Sequence, residues 1–192
     1  MVCNMNSSIR LPELPDLLLV GQKRFVDDRG YFEETWNRRN FATAGIDVDF
    51  VQDNHSLSVS MGTLRGLHFQ GPPHAQDKLV RCTRGSIFDV AVDIRIGSPT
   101  YSRWVGVTLS AVNGKQLFIP KGFLHGFVTL EPQTEVQYKC SDYYALECDS
   151  TVRWDSLAID WPFLGKLVLS KKDAAAPPFS EIQSPFIYGV TL

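Results

Sequence analysis

Apolar residues recur along the chain in short runs that either alternate with polar ones or continue unbroken, and Gly, Pro, Asn or Ser closes most of them. That is the period and punctuation of β-strands. SIFDVAVDIRIGSPT (86–100) reads as a strand closed by Gly97, Ser98 and Pro99. WVGVTLS (104–110) alternates and runs up to Asn113-Gly114, a dipeptide that favours hairpin turns. QLFIP (116–120), GFVTL (126–130) and EVQYKC (135–140) follow at short intervals. Helical period is confined to ETWNRRNFATAG (34–45), closed by Gly45, and SKKDAAA (170–176), with Ser170 as cap. Many short, evenly spaced strands predict an all-β fold, an antiparallel sandwich or barrel with a few short helices. Within 135–140 the period of two puts Val136, Tyr138 and Cys140 on one face and Glu135, Gln137 and Lys139 on the other. The apolar set points inward and carries Tyr138 with it. A core hydrogen bond or a ligand would equally satisfy its hydroxyl.

Composition narrows the classes of function. The 192 residues are 44% hydrophobic and 21% charged, which suits one globular domain across 1–192. A net charge of −2 without a basic stripe argues against nucleic acid, whose binding rests on phosphate neutralisation. No apolar run approaches the ~20 residues of a membrane span. The opening MVCNMNSSIR lacks the apolar core and cleavage site of a signal peptide, so a cytoplasmic location is expected. Cys3, Cys82, Cys140 and Cys148 are irregularly spaced with no CxxC, which fits reduced thiols better than a disulfide framework or a zinc site.

Candidate chemistry concentrates in LRGLHFQGPPHAQDKLV (64–80), a strand running into a turn that carries Arg65, His68 and Lys78 among core-type residues. Of the four histidines, His68 follows Gly66 in that strand, and His125 lies in IPKGFLHGF, where the chain turns into another. His55 and His74 have no such setting and are read as structural. Strict alternation places Arg65 and His68 on opposite faces. Both serve one cavity only if the strand is irregular between them, and Gly66 is where a bulge would fall.

The phrases DDRGYFEE (27–34), QDNHS (52–56), LRGLHFQ (64–70), KLVRC (78–82), FDVAVDIR (88–95), IPKGFLHGF (119–127), QYK (137–139), WP (161–162) and SKKD (170–173) resemble, in order, the dTDP-4-dehydrorhamnose 3,5-epimerase family. The resemblance implies a cupin-like jelly-roll homodimer that acts on a dTDP-linked 4-keto-6-deoxy sugar without metal or organic cofactor. It makes His68 the base, Asp173 the group that orients it and Tyr138 the acid. Lys78, Arg65 and His125 match positions lining the sugar and phosphates. Arg29, Glu34, the trio Gln52-Asp53-Asn54, and Lys172 match further substrate contacts. Tyr143 and Phe32 are candidates for stacking on thymine, and equally for core or interface packing. The family Glu five residues before Trp154 is Asp149 here, followed by Ser150 in place of Gly, so a shorter acid takes that contact.

These residue types suit the chemistry. A ketone at C4 acidifies the hydrogens on C3 and C5, and inversion needs a base on one face, an acid on the other and a cation for the enolate. A His at ordinary pKa suits the base, an Asp on its far nitrogen fixes the tautomer, and a Lys supplies charge at the oxyanion. The guanidinium fork of Arg65 suits a diphosphate. Each residue also has a bland reading: Lys78 as a surface lysine, Arg29 and Glu34 as an exposed pair, Asp173 as a first-turn acid. Three rivals are weighed. A metal-dependent cupin fits Pro120-x-Gly122-x-x-His125 but needs His-x-His then Glu where this chain has His68-Phe69-Gln70. A non-catalytic sugar-nucleotide binder leaves the His, Asp, Tyr and Lys set without purpose. An epimerase of C3 alone or C5 alone, or a ketoisomerase, would use the same base and acid.

Overall fold

The computed structural model describes residues 7–163 and 165–190. In chain order its strands are β1 (Ser7–Leu11), β2 (Leu14–Gly21), β3 (Arg24–Asp27), β4 (Gly30–Glu33), β5 (Gln52–Ser58), β6 (Leu64–Gln70), β7 (Lys78–Arg84), β8 (Ser86–Asp93), β9 (Trp104–Ser110), β10 (Gln116–Ile119), β11 (Phe123–Thr129), β12 (Thr134–Cys140) and β13 (Asp149–Thr151). Two short helices, α1 (Arg38–Thr43) and α2 (Lys171–Ala174), join them. A six-stranded sheet runs β1-β2-β10-β7-β12-β5 and a five-stranded sheet β13-β6-β11-β8-β9, while β3 and β4 form a separate hairpin. The strand pairs are antiparallel. The two sheets face each other in a sandwich, as the strand pattern predicts.

Three apolar layers explain why so many strands read as continuous hydrophobic runs. Between the sheets lie Leu17, Val80, Ile87, Ala91, Leu117, Phe127 and Val136, with Tyr138 packed against them. Val90, Val92, Leu67, Phe69 and Leu124, from the opposite faces of the five-stranded sheet, pack with Val152 and Phe186. Leu18, Val20, Leu79 and Phe118 cover the outside of the other sheet with Phe41 of α1. Strands β8 and β11 thus bury both faces, which is why most of their positions are apolar.

Boundaries depart from the sequence reading where side chains capture the backbone. The run 86–100 stops being a strand at Asp93, whose carboxylate accepts from Arg95 N–H, Ser98 Oγ and Thr100 Oγ1 and folds the chain back. The helix expected over 34–45 shortens to α1, because Asn37 accepts from the N–H groups of Arg39 and Asn40. The helix expected over 170–176 is α2, with Ser170 accepting from Asp173 N–H. Asn113-Gly114 does make a tight turn, with Asn113 Oδ1 accepting from Ser110 and Lys115 N–H. It is no hairpin, however: β9 pairs with β8, and β10 pairs with β2 and β7 in the other sheet. An Asn-Gly dipeptide reports turn geometry and says nothing of which strand pairs with which. Cys82, Cys140 and Cys148 are free thiols; Cys3 lies outside the described residues.

Candidate active site

The site begins with a fault in β6. Opposite β11, His68 faces His125 and Arg65 faces Phe127, so three steps on one strand span two on the other. Gly66 absorbs the extra residue at φ +121, and a Cβ there would lie 2.6 Å from Gly126 Cα and 2.8 Å from His125 O. Only glycine fits. Leu67 and Phe69 keep to the outer apolar layer, and the slip brings Arg65 onto the inner side with His68.

His68 Nε2 lies 2.6 Å from Asp173 Oδ1. An ionised carboxylate only accepts, so Nε2 carries the proton and Nδ1 keeps a free lone pair. Asp173 is buried; burial raises its pKa, but the hydrogen bonds from His68 and Ser170 outweigh this and hold it below the usual carboxylate range. The arrangement is an imidazole backed by a fixed negative charge, which is what a base needs when it becomes imidazolium.

Across the cavity stands Tyr138 of β12. Its hydroxyl has no hydrogen-bond partner among the described residues, and burial pushes its phenol up, so it holds its proton at neutral pH. Lys78 opens β7, and its ammonium makes no hydrogen bond or ion pair among the described residues. Withdrawal from water pushes its ammonium pKa down, opposed by the charges of Cys140, Asp149 and Asp89. An unpaired, recessed ammonium is poised for an anion. Arg65 is braced by Ser58 Oγ and the Leu57 carbonyl, both at 3.2 Å.

These groups line two adjoining lobes of about 360 and 240 Å³. Both lobes have His68, Lys78, Tyr138 and Lys172 in their walls. Gln52, Asn54 and Asp149 complete the larger, and Arg65, His125 and Asp173 the smaller. Asp149 is held by Lys172 Nζ at 2.5 Å and by the Tyr144 hydroxyl at 3.0 Å. Among the described residues no group of three or more His, Cys, Asp or Glu is placed to hold a metal ion.

Several expected residues stand elsewhere. Asp53 alternates away from Gln52 and Asn54 onto the outer face, where it pairs with Lys139 at 2.8 Å. Tyr143 is exposed outside both lobes, and Tyr144, one residue on, takes the place at the rim. Arg29 sits 89% exposed on Asp27 at the tip of the β3–β4 hairpin, whose strands pair with neither sheet and whose base alone is tied down, through Glu33 to Arg81 of β7. Phe32 is exposed on the same hairpin. Glu34 is spent on Asn37 and Asn40 at the start of α1. None of these reaches the cavity within one chain.

Two residues escaped the sequence reading. Asp89, fully buried, holds His125 Nε2 at 2.8 Å, a second carboxylate–imidazole pair. Its signal was a charge at an inward position of the apolar strand FDVAVD. Ser170 reads as a helix cap and nothing more, yet it also binds Asp173 Oδ2.

A cupin-like sandwich whose cavity sets a carboxylate-backed imidazole against a phenol unpaired among the described residues is the architecture of an isomerase. Residues 12–181 match the family described as dTDP-4-dehydrorhamnose 3,5-epimerase, and the chain belongs to that family. It is similar to the dTDP-4-dehydrorhamnose 3,5-epimerase of Escherichia coli strain K12, with 53% identity over 164 residues, covering 84% of this chain and 88% of the relative. The Sinorhizobium fredii protein of the same name is 48% identical over 177 residues, 91% of each chain. The crystal structure of a dTDP-6-deoxy-D-glucose-3,5-epimerase from Legionella pneumophila, in complex with dTDP-4-keto-L-rhamnose, superposes with a TM-score of 0.91 at 42% identity, covering 96% of this chain and 100% of that one.

Proposed function

We propose that the protein inverts C3 and C5 of dTDP-4-dehydro-6-deoxy-D-glucose to give dTDP-4-dehydro-L-rhamnose, with His68 as base and Tyr138 as acid. The observation that carries this reading is the His68–Asp173 pair at 2.6 Å in a cavity shared with a Tyr138 hydroxyl that has no hydrogen-bond partner among the described residues. His68 Nδ1 takes the proton from the carbon beside the ketone, and the C–H electrons pass to O4 as an enolate. The Lys78 ammonium receives that charge. Tyr138 protonates the same carbon from the opposite face, the tyrosinate recovers a proton from water and the imidazolium loses its own. A second pass inverts the other carbon. A well-placed donor to the oxyanion is worth about 3–4 kcal/mol of barrier, and each proton transfer about 10²–10⁴-fold.

Arg65 and Lys172, with Gln52, Asn54 and His125, are assigned to the diphosphate and sugar. The assay is proton NMR of dTDP-4-keto-6-deoxyglucose in deuterated buffer. Deuterium at both C3 and C5 with inversion is expected. Exchange at one centre alone would reduce the activity to a single-centre epimerase, and no exchange would overturn the proposal.

The same reading takes the protein to be a cytoplasmic homodimer. The β3–β4 hairpin leaves Val26 78% and Phe32 69% exposed beside Arg29, an apolar arm largely uncovered by the described residues. A second copy would cover it and would place Arg29 at the neighbour's cavity mouth. Sedimentation should give a dimer at assay concentration, and an active monomer would refute it.

A further inference from the structure

Asp173 spends one carboxylate oxygen on His68. The other, Oδ2, accepts from Ser170 Oγ at 2.8 Å, and that same Oγ accepts from the Asp173 N–H at 3.0 Å. One hydroxyl therefore pins the backbone and the carboxylate plane of the residue that steers the base. We infer that Ser170 is a positioning residue for proton transfer at His68: its hydroxyl holds the Asp173 carboxylate in the orientation the imidazole needs. This rests on His68 being the base.

A helix cap alone would explain less. Capping requires only that the side chain accept from an N–H of the first turn, and α2 is four residues long, with little helix to stabilise. Ser170 also donates, to an acid 4% exposed, and it lines the lobe that holds His68, Lys78 and Tyr138. Without that donor Oδ2 loses its partner. Negative charge then concentrates on the oxygen facing His68, and protonated imidazole gains stability. The other charged or titratable groups around the pair are Arg65 from β6, Lys78 from β7, His125 from β11, Tyr138 from β12 and Lys172 from α2. A substitution at Ser170 leaves all of them in place.

Ser170→Gly removes the donor while glycine remains a tolerated cap, and Ser170→Thr keeps both functions. In Ser170→Gly, kcat/KM should fall about tenfold, as for other residues that orient an active group through a second one. The acid limb of its kcat/KM–pH profile, which reports the free enzyme's base, should move upward by about half a unit or more. Ser170→Thr should restore both. Thermal unfolding alongside separates any loss of folded protein. An unmoved acid limb in Ser170→Gly overturns the inference, as does a loss of turnover no greater than the loss of folded protein. His68→Asn serves as the reference: if it retains turnover the base assignment itself fails, whereas a dead His68→Asn beside an unaffected Ser170→Gly sinks only the role of Ser170.

Discussion

Gly66→Ala tests whether the bulge in β6 builds the site. The backbone at Gly66 has φ +121, where an L-residue is strained by about 1–3 kcal/mol. The added methyl meets Gly126 Cα at 2.6 Å and His125 O at 2.8 Å, backbone atoms that yield only if β11 moves. Forcing a carbon into packed surroundings costs about 1–3 kcal/mol more. The sum, about 2–6 kcal/mol, corresponds to a fall in Tm of roughly 4–24 °C for a chain of this size. Urea unfolding gives the free energy directly. The chain can relieve the strain by closing the bulge, and restored alternation would turn Arg65 to the other face. Activity per folded molecule should therefore fall together with stability. Gly126→Ala is the comparison, since its Cβ would also lie within 2.9 Å of the Arg65 carbonyl. It lacks the φ penalty and should cost less. A Gly66→Ala protein within about 0.5 kcal/mol of wild type and fully active would show that the bulge is dispensable.

Tyr138→Phe should still exchange substrate hydrogen for deuterium from the His68 face but with configuration retained; inversion at the wild-type rate would assign the acid elsewhere. Lys78 must stay charged to hold the enolate, and its pKa is pushed down while that of Tyr138 is pushed up. The alkaline limb of kcat/KM should thus lie below the ordinary lysine value of about 10.4, and Lys78→Arg should move it upward at reduced kcat; a limb indifferent to the substitution would remove Lys78 from that role. The folded-state pKa of Asp173 lies below its unfolded value, so its stabilisation is whole above about pH 4 and lost as pH falls through the lower value. Asp173→Asn should flatten that acid decline in Tm, and an unchanged decline would contradict the pairing. Exhaustive dialysis against EDTA should leave turnover unchanged, since His68-Phe69-Gln70 offers no His-x-His pair; loss restored by a divalent ion would refute this.

The sandwich was legible because period two and turn residues are local signals, and Tyr138 was placed inward by alternation alone. Gly66 was legible as the one residue able to host a bulge, and it does. What failed needed partners remote in sequence. Asn113-Gly114 carries turn chemistry identical to that of a hairpin, while the pairing of β10 depends on β2 and β7, far along the chain. Asp53 was taken with its neighbours as a block, though alternation on β5 sends it out to Lys139. Tyr143 and Tyr144 are indistinguishable until the backbone chooses which of them meets Asp149. Asp89 is an ordinary charge until its burial against His125 is known.

The proposed base and acid belong to different sheets: His68 to the five-stranded one, Tyr138 to the six-stranded one. Such sheets stand about 10 Å apart, at a spacing set by the side chains that interdigitate between them. Ile87, Ala91, Phe127 and Val136 therefore act as spacers between the two walls that would relay protons in the proposed mechanism, although none of them exchanges a proton. A methyl group trimmed from that layer lets the walls draw together, and one added forces them apart. The balance between returning a proton to the same side of the sugar and delivering one to the other thus becomes a readout of hydrophobic volume, and stereochemical fidelity is inherited from the thickness of the core.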